Sequence, residues 1–311
     1  MTGGDETVFR QVPCDLCGAD DFATVGRPVV SPRIKQVVRP PQDIAVVRCR
    51  QCGFLYTHPM PFWSTADTQH IYDAAYFPPM TPWWQRVKTK DNPRRRLDAI
   101  ERRLDSAAPR FLEVGCGLGY GIEEAVRRGW TASGQDVSRF FCEQVAGRLG
   151  VSVFLGQLED AGYAESSFDA VYIDSVIEHV PQPMNMLREV HRILTPGGVA
   201  HLTVTNEAAL VNTFRRLLLA LARPRRSPVL SPLAYPVHLV GFTPGTLILA
   251  CQRAGFEVTQ LTVHAGKQEW RKRGLRSPRQ LVLGFASLPL TALGEATGRG
   301  IALEAVIAAR K

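Results

Sequence analysis

No apolar run in the 311 residues reaches the roughly 20 needed to cross a bilayer. The longest, 217–222 and 281–293, stop short, so a spanning helix is not expected. The first ten residues, MTGGDETVFR, lack the charged-then-apolar layout of a secretory leader, and a cytoplasmic location is expected. Lysine is scarce beside arginine, a bias that base composition of the coding genome explains as well as any function. His58, His70, His191, His201 and His264 show no paired ligand spacing and receive no role. What remains is an ordinary globular composition, 45% hydrophobic and 21% charged. Its net charge of +8 permits an anionic partner without requiring one. The length suits one large domain and a smaller one.

Of seven cysteines, four form two CxxC pairs, PCDLCG at Cys14 and Cys17 and RCRQCG at Cys49 and Cys52. In a reducing compartment two such knuckles read as a metal site rather than disulfides. Four thiolates close a tetrahedral site with no open position, which points to structural Zn²⁺ rather than catalytic zinc. The segment between them alternates Val and Ile runs with prolines, as a small ribbon would. Residues 1–60 are therefore expected to form a zinc-ribbon domain.

Residues 61–105 form a bridge rich in aromatics and proline. Tyr72 and Tyr76, four apart, would share a helical face. The cluster either glues the ribbon to the main domain or lids a pocket. A helix is predicted over 93–105, with Leu97, Ile100 and Leu104 inward.

From 106 to 311 strands alternate with helices, the order of a doubly wound α/β sheet. Strands are predicted at RFLEVG, WTASGQD (130–136), 151–156, 167–175, 199–205, FEVTQLTVHA and 301–311. A helix over 183–194 is expected to end at its PGG, and another is expected near 244–254. Two inserted segments, 208–240 and 266–298, interrupt this rhythm. The first holds a basic amphipathic stripe over 208–226, read as a helix docked on its own domain, with peripheral membrane contact as the alternative. Its basic residues alternate with apolar stripes rather than aromatics, so a nucleic-acid partner is not expected.

After the first of these strands the chain reads E-V-G-C-G-L-G, with Gly115, Gly117 and Gly119 at alternate positions behind Glu113. A dinucleotide site needs GxGxxG and a helix N-terminus facing a pyrophosphate. A carboxylate ahead of the glycines opposes a phosphate and suits an ammonium group. Asp136, closing the next strand 21 residues after Gly115, stands where a carboxylate accepts ribose hydroxyls. A ligand with a ribose and a cationic amino-acid end is implied; S-adenosylmethionine fits, and NAD fits badly.

With these motifs, and with SFDAVYIDSVIEHVPQP and LREVHRILTPGGVAHLTVTN, residues 110–263 resemble the class I S-adenosylmethionine-dependent methyltransferases. The resemblance implies a Rossmann-like seven-stranded sheet with helices on both faces and an antiparallel last strand. It also implies Glu113, Gly115, Gly117 and Gly119 at the methionine end of the cofactor, Asp136 at the ribose and Val137 against the adenine. Gln157, Leu158 and Glu159 would meet the adenine edge. Apart from the resemblance, Tyr76 in the bridge is read as a cap over the cofactor. The ribbon and the CGFLYTHPMP…YDAAYF bridge resemble bacterial methyltransferases of sugar, polysaccharide and secondary-metabolite pathways. Two departures stand out: a further C-terminal domain of the sugar C-methyltransferases is lacking, and their Glu–His pair after strand five reads Val237–His238 here. Ubiquinone-type O-methyltransferases share the EHVP motif, with an upstream acid that helps bind a metal; Ser175 stands there, so no catalytic metal is expected.

Glu178 and His179 follow the fourth strand, at the rim where ligands bind in such sheets, and His is the natural base near neutral pH. His179, His238 and Glu178 are the candidate catalytic residues. The expected acceptor is a small molecule, O-methylated in a sugar, glycolipid or secondary-metabolite pathway. C-methylation of a keto-deoxysugar is the alternative, and a non-catalytic zinc-ribbon module binding nucleic acid or protein is the alternative of another class.

Overall fold

The computed structural model describes residues 6–73, 83–213, 230, 232–233, 237–264 and 293–310. The amphipathic stripe beyond 213, most of the 266–298 insertion and Tyr76 lie outside the described residues.

The chain opens with β1 (Val8–Arg10), β2 (Phe22–Gly26), α1 (Pro32–Val37), β3 (Ala45–Cys49), β4 (Leu55–His58) and β5 (Met60–Phe62). α2 (Thr65–Ile71) follows, its start fixed by the Ser64 side chain, which accepts from the Asp67 amide at 3.0 Å. α3 runs Trp83–Glu101, starting earlier than the sequence predicts and ending four residues sooner. β6 (Arg110–Val114), α4 (Tyr120–Arg127), β7 (Thr131–Asp136), α5 (Arg139–Leu149), β8 (Val153–Leu155) and β9 (Phe168–Asp174) then alternate as expected. α6 (Pro183–Ile193) leads directly into β10 (Leu194–Thr205). The PGG expected to lie between them sits inside β10, where the register shifts between Leu194 and Val199. A two-residue strand β11 (Val240–Gly241), α7 (Pro244–Arg253), β12 (Phe256–His264) and β13 (Ala302–Ala309) complete the order.

Seven strands form one sheet in the order β12-β13-β10-β9-β6-β7-β8. β6 to β10 pair in parallel, and β13 runs antiparallel between β10 and β12. Because alternate side chains point to opposite faces, Phe111 and Leu112 enter different cores. Phe111 joins Leu97, Ile100, Ile122 and Ala125 beneath α3 and α4, and Leu112 joins Leu187, Val190 and Leu247 beneath α6 and α7. Both faces are covered, as parallel strands require.

The ribbon is not separate from this body. β11, from the region after β10, pairs antiparallel with β4 and becomes the fourth strand of the ribbon sheet, in the order β11-β4-β3-β2. Thr57, fully buried, donates its amide (3.0 Å) and its hydroxyl (2.9 Å) to the Leu239 carbonyl. Phe54 of the ribbon meets Phe242 at 5.1 Å between ring centroids, and one continuous core holds both with Val171 and Leu202 of the main sheet. The boundary expected near residue 60 is bridged by hydrophobic contact.

Phe242 is fully buried at this junction. Phe242→Ala is expected to cost about 3–5 kcal/mol, read from chemical denaturation followed by both tryptophan fluorescence and circular dichroism.

Candidate cofactor pocket and metal centre

Gly115, Gly117 and Gly119 all take left-handed backbone, with φ of 62°, 49° and 69°. Their alternation answers to conformation as much as to space, since only glycine adopts such angles at low cost. At Gly115 a Cβ would also stand 2.4 Å from Val176 Cγ2. The turned-out amides are satisfied from both sides. Gly117 N–H donates to Asp136 Oδ2 at 2.8 Å, and Gly115 N–H to Gln135 Oε1 at 3.2 Å. Asp136 Oδ1 accepts from Ser138 N–H at 2.8 Å, so one carboxylate ties the glycine turn to the start of α5. Burial raises its pKa.

The turn opens onto a cavity of about 410 Å³ at the C-terminal edge of β6, β7 and β9. Gly115, Gly117, Asp136, Val137, Gln157 and Glu159, named from the sequence for the cofactor, line it, and so does the catalytic candidate His179. The wall holds Asp136, Glu159, Asp160 and Asp174, and among the described residues no Lys or Arg.

Other residues named from the sequence stand outside the wall. Glu113 does not line the cavity; it is buried, and its carboxyl accepts from Ile122 N–H (2.8 Å) and Gly121 N–H (3.3 Å), capping α4 from below. Desolvation pushes its pKa up to about 8. Gly119 is the N-cap of α4 and backs onto Val145. Leu158 is fully buried in the core rather than in the wall. Glu178, fully buried, points behind the wall: Oε1 accepts from Thr205 N–H at 3.3 Å, and burial raises its pKa to about 8.

His179 does face the cavity, with Tyr72 at 6.2 Å and His238 at 4.9 Å between ring centroids, both edge to face. His238 stands behind it rather than in the wall. Burial lowers the pKa of His179 to about 4, against the opposing Val237 and Ser175 carbonyls. Burial lowers that of His238 to about 3, with His179 adding to the effect. The ligand atoms of Glu178, His179 and His238 lie within 4.8 Å of one another.

Lining residues not named from the sequence come mainly from the bridge: Phe62, Trp63 and Thr68 join Tyr72 in the roof. Phe62, Trp63 and Tyr72 also pack against the main core, so the described part of the cluster both holds to that domain and lines the cavity. Gln69 latches it, its amide donating to Val137 O while Arg139 N–H donates back to Gln69 Oε1 at 2.9 Å. Only the aromatic composition of 54–84 could have signalled this.

The two cysteine knuckles converge as expected. Cys14 and Cys52 Sγ are 3.6 Å apart and Cys17 and Cys49 Sγ 3.5 Å, with all four sulfurs within 4.8 Å. Thiolates at 2.3 Å from a tetrahedral zinc would stand about 3.8 Å apart, so the set fits that ion with small adjustment. The first knuckle touches the pocket wall: Asp15 Oδ2 accepts from Met184 N–H (2.8 Å) at the first turn of α6, which carries the lining residues Asn185 and Met186.

Residues 112–202 match the family model of a methyltransferase domain. Over 117 residues the chain is 34% identical to a ubiquinone biosynthesis O-methyltransferase of Xanthomonas oryzae pv. oryzae, covering 36% of this chain and 49% of that protein. It is 31% identical over 136 residues to the protein of the same name from Pseudomonas aeruginosa, covering 40% and 58%. The chain thus spans about half the length of the curated relatives it matches. Its fold is similar to that of a SAM-dependent methyltransferase from Archaeoglobus fulgidus, with TM-score 0.51 and 15% identity over 72% of this chain and 94% of that one. The seven-stranded sheet, with its antiparallel β13, is a methyltransferase-like fold.

The raised pKa of Glu178 has a sign that can be tested. Between about 4.5, where the unfolded carboxyl ionises, and about 8, the folded state keeps a proton that the unfolded state loses, so stability falls as pH rises. Glu178→Gln removes this contribution. Relative to wild type, the variant is expected to gain stability steadily from pH 5 to about 8 in urea titrations; a pH-independent difference would place the Glu178 pKa near its ordinary value.

Proposed function

We propose that the chain is an S-adenosylmethionine-dependent methyltransferase that O-methylates a small acceptor, a sugar, glycolipid or secondary metabolite, in a biosynthetic pathway. The observation that carries the cofactor reading is the sign of the pocket wall. Four carboxylates line it, with no lysine or arginine among the described residues. A pyrophosphate would be repelled there, whereas a sulfonium bearing an ammonium is attracted, and in a partly desolvated site such interactions outweigh their value in water. Asp136 retains acceptor capacity for ribose hydroxyls beyond its two backbone bonds. Val137 and Gln157 stand on the side that would take the adenine. The cofactor, when bound, supplies the methyl group.

His179 is the group that takes the acceptor's proton. Its low pKa keeps the ring neutral at pH 7, and with Nδ1–H donating to Val237 O at 2.7 Å the lone pair is on Nε2. Tyr72 and the roof above it restrict water. The names of the curated relatives support oxygen as the methylated atom. The His179–His238 pair also favours a second reading, C-methylation beside a keto group, where one imidazole abstracts a carbon-bound proton. We further propose that Cys14, Cys17, Cys49 and Cys52 hold a structural Zn²⁺, whose chemistry is confined to tying the two knuckles together. Peripheral contact at a membrane rests on the 208–226 stripe; among the described residues no helix is long and apolar enough to cross one.

Calorimetry with S-adenosylmethionine is expected to show micromolar binding that Asp136→Ala abolishes. His179→Ala should lower turnover by about 10²–10⁴-fold while cofactor affinity stays nearly constant; equal loss of both would reassign it to structure.

Removing zinc with a strong chelator under reducing conditions is expected to loosen the ribbon. Through the Asp15–Met184 contact, it should also weaken cofactor binding. Metal analysis of the untreated protein checks the stoichiometry, and unchanged cofactor affinity after zinc loss would show the ribbon and pocket to be uncoupled.

A further inference from the structure

We infer that Asp174 is the carboxylate that receives the ammonium group of the cofactor's methionine end, and that Arg96 is the positioning residue that holds it in place. This rests on the cofactor reading above. The sequence assigns that duty to Glu113, but both Glu113 oxygens accept from the first amides of α4 and its side chain is absent from the wall. Asp174 is in the wall, in the right row. Val114 pairs with Ile173 across the parallel β6–β9 ladder, so the next residue on each strand, Gly115 and Asp174, stand side by side at the C-terminal edge. Both line the cavity together with Ser175 and Val176. Ser175 takes φ of 58°, an uncommon angle for a residue with a Cβ, and the chain bends there immediately after the carboxylate.

Arg96, on the described part of α3, is 6% exposed. Its Nη1 donates to Asp174 Oδ2 at 2.6 Å and to Tyr172 Oη at 2.7 Å, and its Nε and Nη2 donate to Glu304 Oε1 at 3.0 and 2.8 Å. The guanidinium is therefore clamped between β9 and the last strand, β13. Tyr172 hydroxyl adds a donor to the same Asp174 oxygen at 3.2 Å. The other oxygen, Oδ1, accepts from the Ser175 hydroxyl at 3.4 Å, and both residues line the cavity. Oδ2 is thus held by Arg96 and Tyr172, and Oδ1 lies beside pocket-lining Ser175. Arg95 supplies a second cation to Glu304, with Nη2 at 2.9 Å from both carboxylate oxygens, so Arg96 need not neutralise Glu304 alone. A buried guanidinium is costly to strand, which makes the fork a rigid support rather than a loose surface pair.

The test compares two ligands that share the nucleoside and thioether and differ in the amino-acid end. S-adenosylhomocysteine carries the ammonium; 5′-methylthioadenosine does not. Asp174→Asn is expected to weaken S-adenosylhomocysteine by about 10- to 100-fold and to leave methylthioadenosine within about twofold of wild type, since it loses no contact. Arg96→Lys, which keeps charge but not the fork, should show the same selectivity at smaller size. Should Arg96→Lys fail to fold, Asp174→Asn still decides the ammonium assignment, and Glu304→Gln tests the clamp with the same ligand pair. If Asp174→Asn binds both ligands as wild type does, the inference is overturned and the cofactor reading stands. If Arg96→Lys weakens both ligands equally, Arg96 is structural only and its positioning role is lost. If wild type binds neither ligand, the cofactor reading itself fails.

Discussion

A turn in which Gly115, Gly117 and Gly119 all take left-handed angles directs its amides away from the strand ladder, and those amides must find acceptors nearby. The chain supplies them from the neighbouring strand end and from beneath. Asp136 and Gln135 take the amides of Gly117 and Gly115, and Glu113 takes the first amides of α4. The turn's shape, the direction of α4 and the opening of the cavity follow from this one arrangement. Burial raises the pKa of both Glu113 and Asp136, while the amides they accept from act in the opposite direction.

The first cysteine knuckle bears on α6, the helix that carries Asn185 and Met186 of the cavity wall. Asp15 meets α6 at Met184, and Arg253 of α7 donates to the Leu16 carbonyl, so the first CxxC is seated on both helices of one face. The ribbon sheet is completed by β11 rather than by a strand of its own segment. The bridge then crosses above the glycine turn and is latched by Gln69 to the loop after Asp136. A ribbon with so small a core gains its rigidity by sharing the larger one.

Much of the sheet was legible because its signals are local. Apolar runs of five to seven residues between amphipathic helices mark buried parallel strands, and Asp136 marks the end of the second. β11 escaped notice because two residues carry no period. The end of α6 was misplaced because PGG reads as a stop, while the strand pairing of Leu194 with Phe168 begins before it. Of the residues that line the cavity, Gly115, Gly117 and Asp136 were named from motif spacing and His179 from its place after the fourth strand, whereas Phe62, Trp63 and Asp174 were not named, since their placement depends on segments distant in the chain.

The sequence by itself determined the class of sheet and the four-cysteine cluster, because each rests on residue type and short-range spacing. Only the tertiary structure decided which carboxyl faces the cavity. Glu113 and Asp174 are both acids at the ends of adjacent parallel strands. What separates them is the direction of a lone pair: one meets the amides of α4, and the other is held on its far side by an arginine from α3. That direction is set by packing between elements dozens of residues apart, and no local spacing encodes it.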